Sequence, residues 1–564
     1  MSPLDPFLAH SRIAYLTMEI ALDPLIRTYA GGLGVLAGDT ARSCADLRLP
    51  IVFVTLASRQ GYLRQELGPD GIQIDHPDPW DLEGRTIPLD AAVAVRIEGR
   101  SVWIRPWLHI HTSSLGGAVP TIFLDTHLAA NEPEDRVITD RLYGGDSTLR
   151  LKQEVILGVG GERILRALGF EIETYHLNEG HAALLPLALL RRYPRNSVRP
   201  SEGPLSYDLD PVRECCVFTT HTPVEAGHDR FPYELVKQVM GEFFELDQLR
   251  HLAGRDVLNM TRLALNLSDW VNGVAVRHAE TTRKMFPGYR IHAITNGVHA
   301  PTWTHPRFGE LFQQVAPEWT HDHDMLIRAD RLPDDKVWAA HEEAKAALID
   351  ETRRRVGISL RSDQPILAFA RRMTGYKRPD LLFSDLERLR AIAAKHPFQI
   401  VMAGKAHPHD RDGKAMIKLI HAHARALAKH VPIAFLPAYD MNVAKLLVSG
   451  ADVWLNTPVP PMEASGTSGM KAALNGLPNL SVLDGWWSEA CEEGVTGWSI
   501  GDDGSPAADH ATNLYDKLET AVLPTWYNDR PRWIWLMKQC IARIGSRFHS
   551  QRMMRRYAAE AYLR

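Results

Sequence analysis

Glu463-Ala464-Ser465-Gly466-Thr467-Ser468-Gly469-Met470-Lys471 is a turn of glycines and hydroxyls that runs into a small-residue helix carrying one lysine. The combination suits a phosphorylated ligand. A helix N-terminus offers unpaired N–H groups and partial positive charge to an anion, and glycine lets the backbone come close to it. Thr467 and Lys471 are four apart and share a helix face. Such a lysine could hold a phosphate by charge, or join an aldehyde cofactor as a Schiff base, which would imply pyridoxal phosphate. An ordinary helix N-cap has the same residue types, so the rest of the chain must decide between them.

A second cationic segment is Arg371-Arg372-Met373-Thr374-Gly375-Tyr376-Lys377-Arg378, which follows an apolar run and gathers four cations around a turn. A solvated face would look similar, but doubly wound sheets bind ligands where their strands end, and arginine forks match phosphate oxygens, so an anion site is the better reading. Three more polar loops follow apolar runs: Asn178-Glu179-Gly180-His181, Thr219-Thr220-His221-Thr222-Pro223 and Thr295-Asn296-Gly297-Val298-His299. Tyr29-Ala30-Gly31-Gly32-Leu33-Gly34 precedes a helix expected over Val35 to Leu47, and its amides could bind phosphate. His321-Asp322-His323-Asp324 and His407-Pro408-His409-Asp410-Arg411-Asp412 resemble metal sites. Neither has a complete ligand set or the helical spacing of two histidines, so no metal is expected.

These loops need a scaffold, and the hydrophobic pattern supplies one. From Pro365 onward, apolar runs at 365–370, 398–404, 433–436, 452–456 and 479–483 alternate with helical patterns, as in a parallel doubly wound sheet. The first half repeats the theme less regularly, with runs at 13–17, 51–56, 121–124 and 215–219, and Ala94 to Trp107 alternates like a hairpin. Between Trp303 and Asp334 prolines and charges replace periodicity. The expected fold class is α/β, with an N-terminal α/β domain over 1–330 that holds the hairpin, a Rossmann-like domain over 331–528, and a helical segment over 529–564 packing back across the cleft. The 64 basic and 68 acidic residues nearly cancel, so no global field recruits nucleic acid or a membrane surface. The five cysteines match no zinc or redox spacing, and neither a leader nor a spanning segment is recognisable, so a cytoplasmic location is expected.

Taken together and in order, these motifs resemble the α-glucan phosphorylases, the family of glycogen, starch and maltodextrin phosphorylases, and most of all its short microbial branch. The resemblance rests on Gly31-Gly32-Leu33-Gly34, Arg141-Leu142-Tyr143, Leu149 to Glu154, Leu177 to His181, Thr220-His221-Thr222, Val271 to Ala275, Thr295-Asn296-Gly297, Tyr376-Lys377-Arg378 and Glu463 to Lys471. It implies a glycosyltransferase-B architecture, two Rossmann-like doubly wound domains facing a cleft, with the glucan on the N-terminal side. It implies pyridoxal 5'-phosphate on Lys471, with Thr467, Arg371 and Tyr439 helping to hold the cofactor. By the same resemblance Arg372 and Lys377 bind the reacting phosphate. Gly31, Gly32, His221, Asn296, Tyr376, Glu463, Ser465 and Gly466 contact substrate, and Lys471, Arg372, Lys377 and His221 form the catalytic set. The implied partners are α-1,4-glucan or maltodextrin, inorganic phosphate and glucose 1-phosphate, and a homodimer is compatible with the family.

The chain also departs from that pattern. It reads Arg371-Arg372-Met373-Thr374-Gly375 where the well-studied members have Lys-Arg-Ile-His-Glu, and neither their acidic gate loop nor their regulatory segment is recognisable, so gate function and allosteric control are not expected. Two other functions fit the same architecture: a retaining transferase using a nucleotide-activated glucose, and a catalytically silent glucan-binding protein. Lys471 argues against the first and the intact cationic motifs against the second.

Overall fold

The computed structural model describes residues 3–195 and 205–563. The chain divides into two compact units, one of Met1–Tyr62, Pro77–Ile294 and Met554–Arg564, the other of Leu63–His76 and Thr295–Met553. These bounds differ from those that composition suggests. A loss of hydrophobic periodicity marks an exposed connection, whereas the units also reflect packing between segments hundreds of residues apart.

The second unit is built on a six-stranded, all-parallel sheet in the order Ile433–Leu436, Gln399–Ala403, Ile366–Ala370, Val453–Asn456, Asn479–Val482 and Gly497–Ile500. Numbered by appearance the order is 3-2-1-4-5-6, that of a doubly wound sheet whose direction of winding reverses between its first and fourth strands. The first four apolar runs after Pro365 form four of these strands, and the fifth forms Asn479–Val482. Both faces of a parallel sheet are covered, so such strands read as short continuous hydrophobic runs. Every residue of Ile366–Ala370, for example, is buried. At the amino ends of strands one and four the carboxylate of Asp452 is fully buried among Lys345 Nζ at 2.8 Å, His341 Nε2 at 3.0 Å, Trp526 Nε1 at 2.9 Å and the Ile366 amide at 2.8 Å. These partners satisfy a charge that would be very costly unpaired.

The first unit has a ten-stranded sheet. Seven strands are parallel, in the order His292–Ala293, Trp270–Gly273, Cys216–Thr219, Thr174–Asn178, Ile13–Leu16, Ile51–Leu56 and Ala118–Asp125. Here the winding reverses between Ile13–Leu16 and Thr174–Asn178. The expected hairpin is present as Val93–Ile97 paired with Arg100–Thr112, and Glu98 and Gly99 between them both have positive φ, as a tight two-residue hairpin turn requires. The last residues of the chain close this sheet. Tyr562 hydroxyl meets His176 Nδ1 at 2.7 Å, and Asn272 Nδ2 donates to Tyr557 hydroxyl at 2.9 Å. Burial lowers the His176 pKa to about 3, so the ring works as a neutral hydrogen-bonding group. Among the described residues no helix is long and apolar enough to cross a membrane.

Candidate active site

The chemistry-bearing loops of the second unit lie at its reversal point. The loop after strand Ile366–Ala370 carries Arg371 and Lys377, and the one after Val453–Asn456 carries Glu463. Glu463 joins them: Arg371 Nη2 is 2.8 Å from its Oε1, and Lys377 Nζ donates to its Oε2. All three side chains are buried, and the Lys377 ammonium also stands over the Tyr376 ring, 4.6 Å from its centroid. Burial alone would raise the Glu463 pKa, but the Arg371 and Lys377 charges outweigh it and bring the value down to about 2. Arg372 is exposed on the same loop. Arg378, counted among the four cations, has a structural task. Its guanidinium donates to the carbonyls of Thr457 at 2.8 Å and Pro458 at 2.6 Å, binding the two loops together.

The turn that follows Glu463 is stapled from the next strand. Asp484 accepts from the Glu463 amide at 2.9 Å, and the Trp486 amide donates to Ser465 carbonyl at 3.0 Å. Gly466 has φ of +75°, a conformation that glycine adopts without strain. Ser465 Oγ is buried without a hydrogen-bond partner among the described residues. The helix begins at Ser468 and runs only to Ala473, and Thr467 makes no side-chain cap bond, contrary to the ordinary N-cap alternative. Gly469 is where this helix crosses Asn479, whose side chain a Cβ there would overlap. Lys471 is buried, and its Nζ stands 4.0 Å from the centroid of the Trp303 ring.

Asn296 reaches the same region by a different route. It is buried in a loop whose carbonyls at Thr295 and Asn296 accept from Arg552 Nη2 at 2.8 and 3.1 Å, and Thr295 Oγ1 donates to the Glu489 carboxylate. The loop leads to Trp303, whose carbonyl accepts from Asn475 Nδ2 at 2.9 Å, and Asn475 also binds the Lys471 carbonyl at 3.1 Å. Tyr439 follows Ala438, which has φ of +54°.

In the first unit the site residues again flank the reversal point. After strand Ile13–Leu16, Glu19 Oε2 accepts from the amides of Ala30 at 2.7 Å and Gly31 at 3.1 Å, and Oε1 accepts from Tyr143 hydroxyl at 2.9 Å. The helix then starts at Gly32. Gly34 and Gly38 are required by packing, since a Cβ would strike Glu19 and the Ala21 carbonyl respectively. A Cβ on Gly31 or Gly32 would meet nothing within 4 Å, so these two glycines are not required by packing. After strand Thr174–Asn178, Asn178 Oδ1 accepts from His221 Nε2 at 2.7 Å while its Nδ2 donates to Thr17 Oγ1 at 3.1 Å. Burial, reinforced by His278, His176 and His181, holds the His221 pKa well below its ordinary value, so the imidazole is neutral.

A family model described as carbohydrate phosphorylase matches residues 224–495. The chain is 37% identical to a maltodextrin phosphorylase of Thermococcus litoralis, over 98% of this chain and 70% of that protein. It is 34% identical to a glycogen phosphorylase of Aquifex aeolicus, over 98% of this chain and 86% of that one, and 35% identical to a glycogen phosphorylase of Mycobacterium tuberculosis, over 98% and 70%. The chain belongs to the carbohydrate phosphorylase family.

Some residues beside these candidate site loops escaped sequence reasoning because their tasks arise only from tertiary contacts. Trp303, Asp484 and Arg552 are of that kind, and Glu179, read from the sequence only as one residue of a polar loop, has a task that the folded chain alone shows. Glu179 has φ of +71° and ψ of 170°, a region that is essentially glycine's and costs about 1–3 kcal/mol for another residue. Its carboxylate accepts from the Gly180 amide at 3.0 Å, the His221 amide at 2.7 Å and Thr222 hydroxyl at 3.0 Å, so the strained residue holds the His221 loop. Positive φ in a non-glycine residue has no signature in a single sequence.

The ion cluster leads to a pH prediction. Glu463 has a folded-state pKa of about 2 against 4.5 ordinarily, so its stabilisation is complete above about pH 4.5 and is lost as pH falls toward 2. The shift is worth on the order of 3 kcal/mol. Glu463→Gln is therefore expected to unfold more readily than the parent at pH 7, with the gap narrowing below about pH 4.5. Urea unfolding at pH 7 and at a pH of about 3, between the two pKa values, measures it, and a gap that stays constant with pH contradicts the assignment.

Proposed function

We propose that the protein is an α-glucan phosphorylase that catalyses reversible phosphorolysis of α-1,4-glucan, releasing α-D-glucose 1-phosphate with retention. The observation that carries this reading is the buried Arg371–Glu463–Lys377 cluster at the reversal point of the sheet, with Glu463 in the turn that leads into the helix of Lys471. Membership of the carbohydrate phosphorylase family, and relatives named maltodextrin and glycogen phosphorylase, support it. The glycosyltransferase-B architecture belongs to the same proposal, as does a cytoplasmic location, where a charged sugar phosphate would be retained.

The residues fit pyridoxal 5'-phosphate. A buried amine lies against an aromatic face at Lys471 and Trp303, and the adjoining turn combines a left-handed glycine with the unpartnered Ser465 hydroxyl. When bound, this cofactor supplies through its 5'-phosphate a proton partner for inorganic phosphate, with a second pKa of about 6. Lys471 is its covalent anchor, and Thr467, Arg371 and Tyr439 help to hold it. Lys377 and Arg372 bind the reacting phosphate. Glu463 neutralises one of the two charges of Arg371 and Lys377 and holds the two cations side by side, so that the cofactor phosphate and the reacting phosphate are held without a large net positive field. His221, Asn296, Ser465, Gly466 and Glu463 orient the terminal glucosyl unit, Tyr376 lines the site, and the backbone of Gly32 contacts the reacting phosphate, the Gly31 amide being taken by Glu19. A phosphate oxygen forms the new bond to the anomeric carbon as the glycosidic oxygen leaves with a proton, on the same face of the sugar. Buried cations stabilise the negative charge beside the oxocarbenium-like centre.

Incubation of the protein with maltodextrin and inorganic phosphate is expected to release glucose 1-phosphate, and incubation with that ester and a primer to lengthen the glucan. Product analysis by coupled assay and anomer-resolved NMR measures both. Turnover of a nucleotide glucose without any phosphate-dependent reaction would favour the transferase instead.

A further inference from the structure

The segment 63–76 leaves the first unit, forms the antiparallel hairpin Arg64–Leu67 with Gln73–His76, and packs with the second. Two glutamine side chains on this hairpin are buried, Gln65 at 2% and Gln73 at 6% exposure. Gln65 Nε2 donates to Gln73 Oε1 and to Gly404 carbonyl, both at 2.9 Å, while its Oε1 accepts from the Ala438 amide at 3.1 Å. Gln73 Oε1 accepts from the Ala406 amide at 3.0 Å, and its Nε2 donates to Ala406 carbonyl at 2.9 Å and to Asp75 at 2.7 Å. Lys405 Nζ donates to Leu63 carbonyl at 2.9 Å, and Lys414 pairs with Asp75 at 2.6 Å.

The gripped segments are the loops that follow strands Gln399–Ala403 and Ile433–Leu436, next to the cationic loop. The Arg371 amide donates to Ala403 carbonyl at 3.1 Å and the Met373 amide to Lys405 carbonyl at 3.0 Å, so the backbone on both sides of Arg372 rests on the 403–405 segment. Gly404 has no space for a Cβ, which would overlap the Arg371 carbonyl. Ala438 is held in a left-handed conformation immediately before Tyr439. Buried carboxamides satisfied by backbone groups of two loops fix those loops against each other, because any displacement leaves polar atoms unpaired in a site shut off from water.

We propose that Gln65 and Gln73 are positioning residues for the anion site, a clasp that fixes the 404–406 and 438–439 loops and thereby aims Arg371 and Arg372. The proposal rests on the phosphorylase reading. The test uses the holoenzyme and three variants. Gln65→Glu keeps the volume and the acceptor for Ala438 but loses the donors to Gly404 and Gln73. Gln73→Ala removes the Ala406 contacts, and Ile72→Ser alters an exposed side chain of the same hairpin. In Gln65→Glu and Gln73→Ala, hydrogen exchange at the amides of Arg371, Met373, Ala406 and Ala438 is expected to quicken about tenfold, with the interior of strand Ile366–Ala370 unchanged. The KM for phosphate should rise roughly tenfold while that for maltodextrin stays put. Ile72→Ser should change neither. Unaltered exchange at those four amides overturns the clasp, as do KM values for phosphate and glucan that move together. If the parent protein shows no phosphate-dependent reaction, the functional reading fails, and the exchange measurement alone decides the clasp.

Discussion

Lys471→Ala is expected to abolish covalent attachment of pyridoxal phosphate. Lys471 Nζ stands 4.0 Å from the Trp303 ring centroid, in a short helix that Asn475 ties to Trp303. Alanine is the best helix former and the neighbours Met470, Ala472 and Ala473 remain packed, so the helix should persist without the amine. Borohydride treatment of the parent followed by peptide mapping should mark Lys471, and the variant should carry no mark. Turnover should fall to the fraction of chains that still retain the cofactor through Thr467, Arg371 and Tyr439, because in this proposal the amine anchors and does not take part in the sugar chemistry. A variant that keeps the covalent adduct, or a parent fully active without cofactor, would contradict both the anchor and the proposed reaction. Trp303→Ala should act more gently, leaving attachment possible but the cofactor spectrum altered.

How much of this was legible beforehand depends on the length scale of the interaction. Strands such as Ile366–Ala370 and Gln399–Ala403 are buried on both faces, and burial on both faces writes itself as a local apolar run. Gly497–Ile500 escaped because it opens on glycine and its two large apolar residues, Trp498 and Ile500, are separated by the half-buried Ser499, so it never forms a continuous apolar run. The hairpin Arg64–Leu67 with Gln73–His76 escaped for a deeper reason. Its strands are mostly polar, and their partners, Gly404, Ala406 and Ala438, lie more than three hundred residues away in the chain. The cationic loop was legible as a charge run after a strand, but its charges could not be told apart. Only the fold shows that Arg378 binds loop carbonyls whereas Arg371 and Lys377 converge on Glu463. Glu463 itself was assigned to the sugar by resemblance, and its bridging of two cations is a property of the folded chain.

That bridge sets up the second large effect. Lys377→Met is expected to lower kcat/KM for phosphate by about 100- to 1,000-fold, the usual cost of removing one buried donor that stabilises transition-state charge. Methionine fills much of the lysine stem's volume, so packing beside Tyr376 should survive. Glu463 then keeps only Arg371 as a counter-charge, which raises its pKa from about 2 and moves the acid limb of the pH–rate profile upward. Arg372→Ala provides the contrast. Arg372 is exposed and on the same loop, so its loss should weaken phosphate use while leaving the fold, the acid limb and the cofactor spectrum nearly as they were. Loss of an interaction made mainly in the transition state lowers turnover, whereas loss of uniform binding raises KM alone. Steady-state kinetics over a pH series, alongside cofactor absorbance and thermal unfolding, separates these outcomes. If Lys377→Met left phosphate kinetics unchanged, or if Arg372→Ala emptied the cofactor site, the division of this cluster between reacting phosphate and cofactor would be wrong.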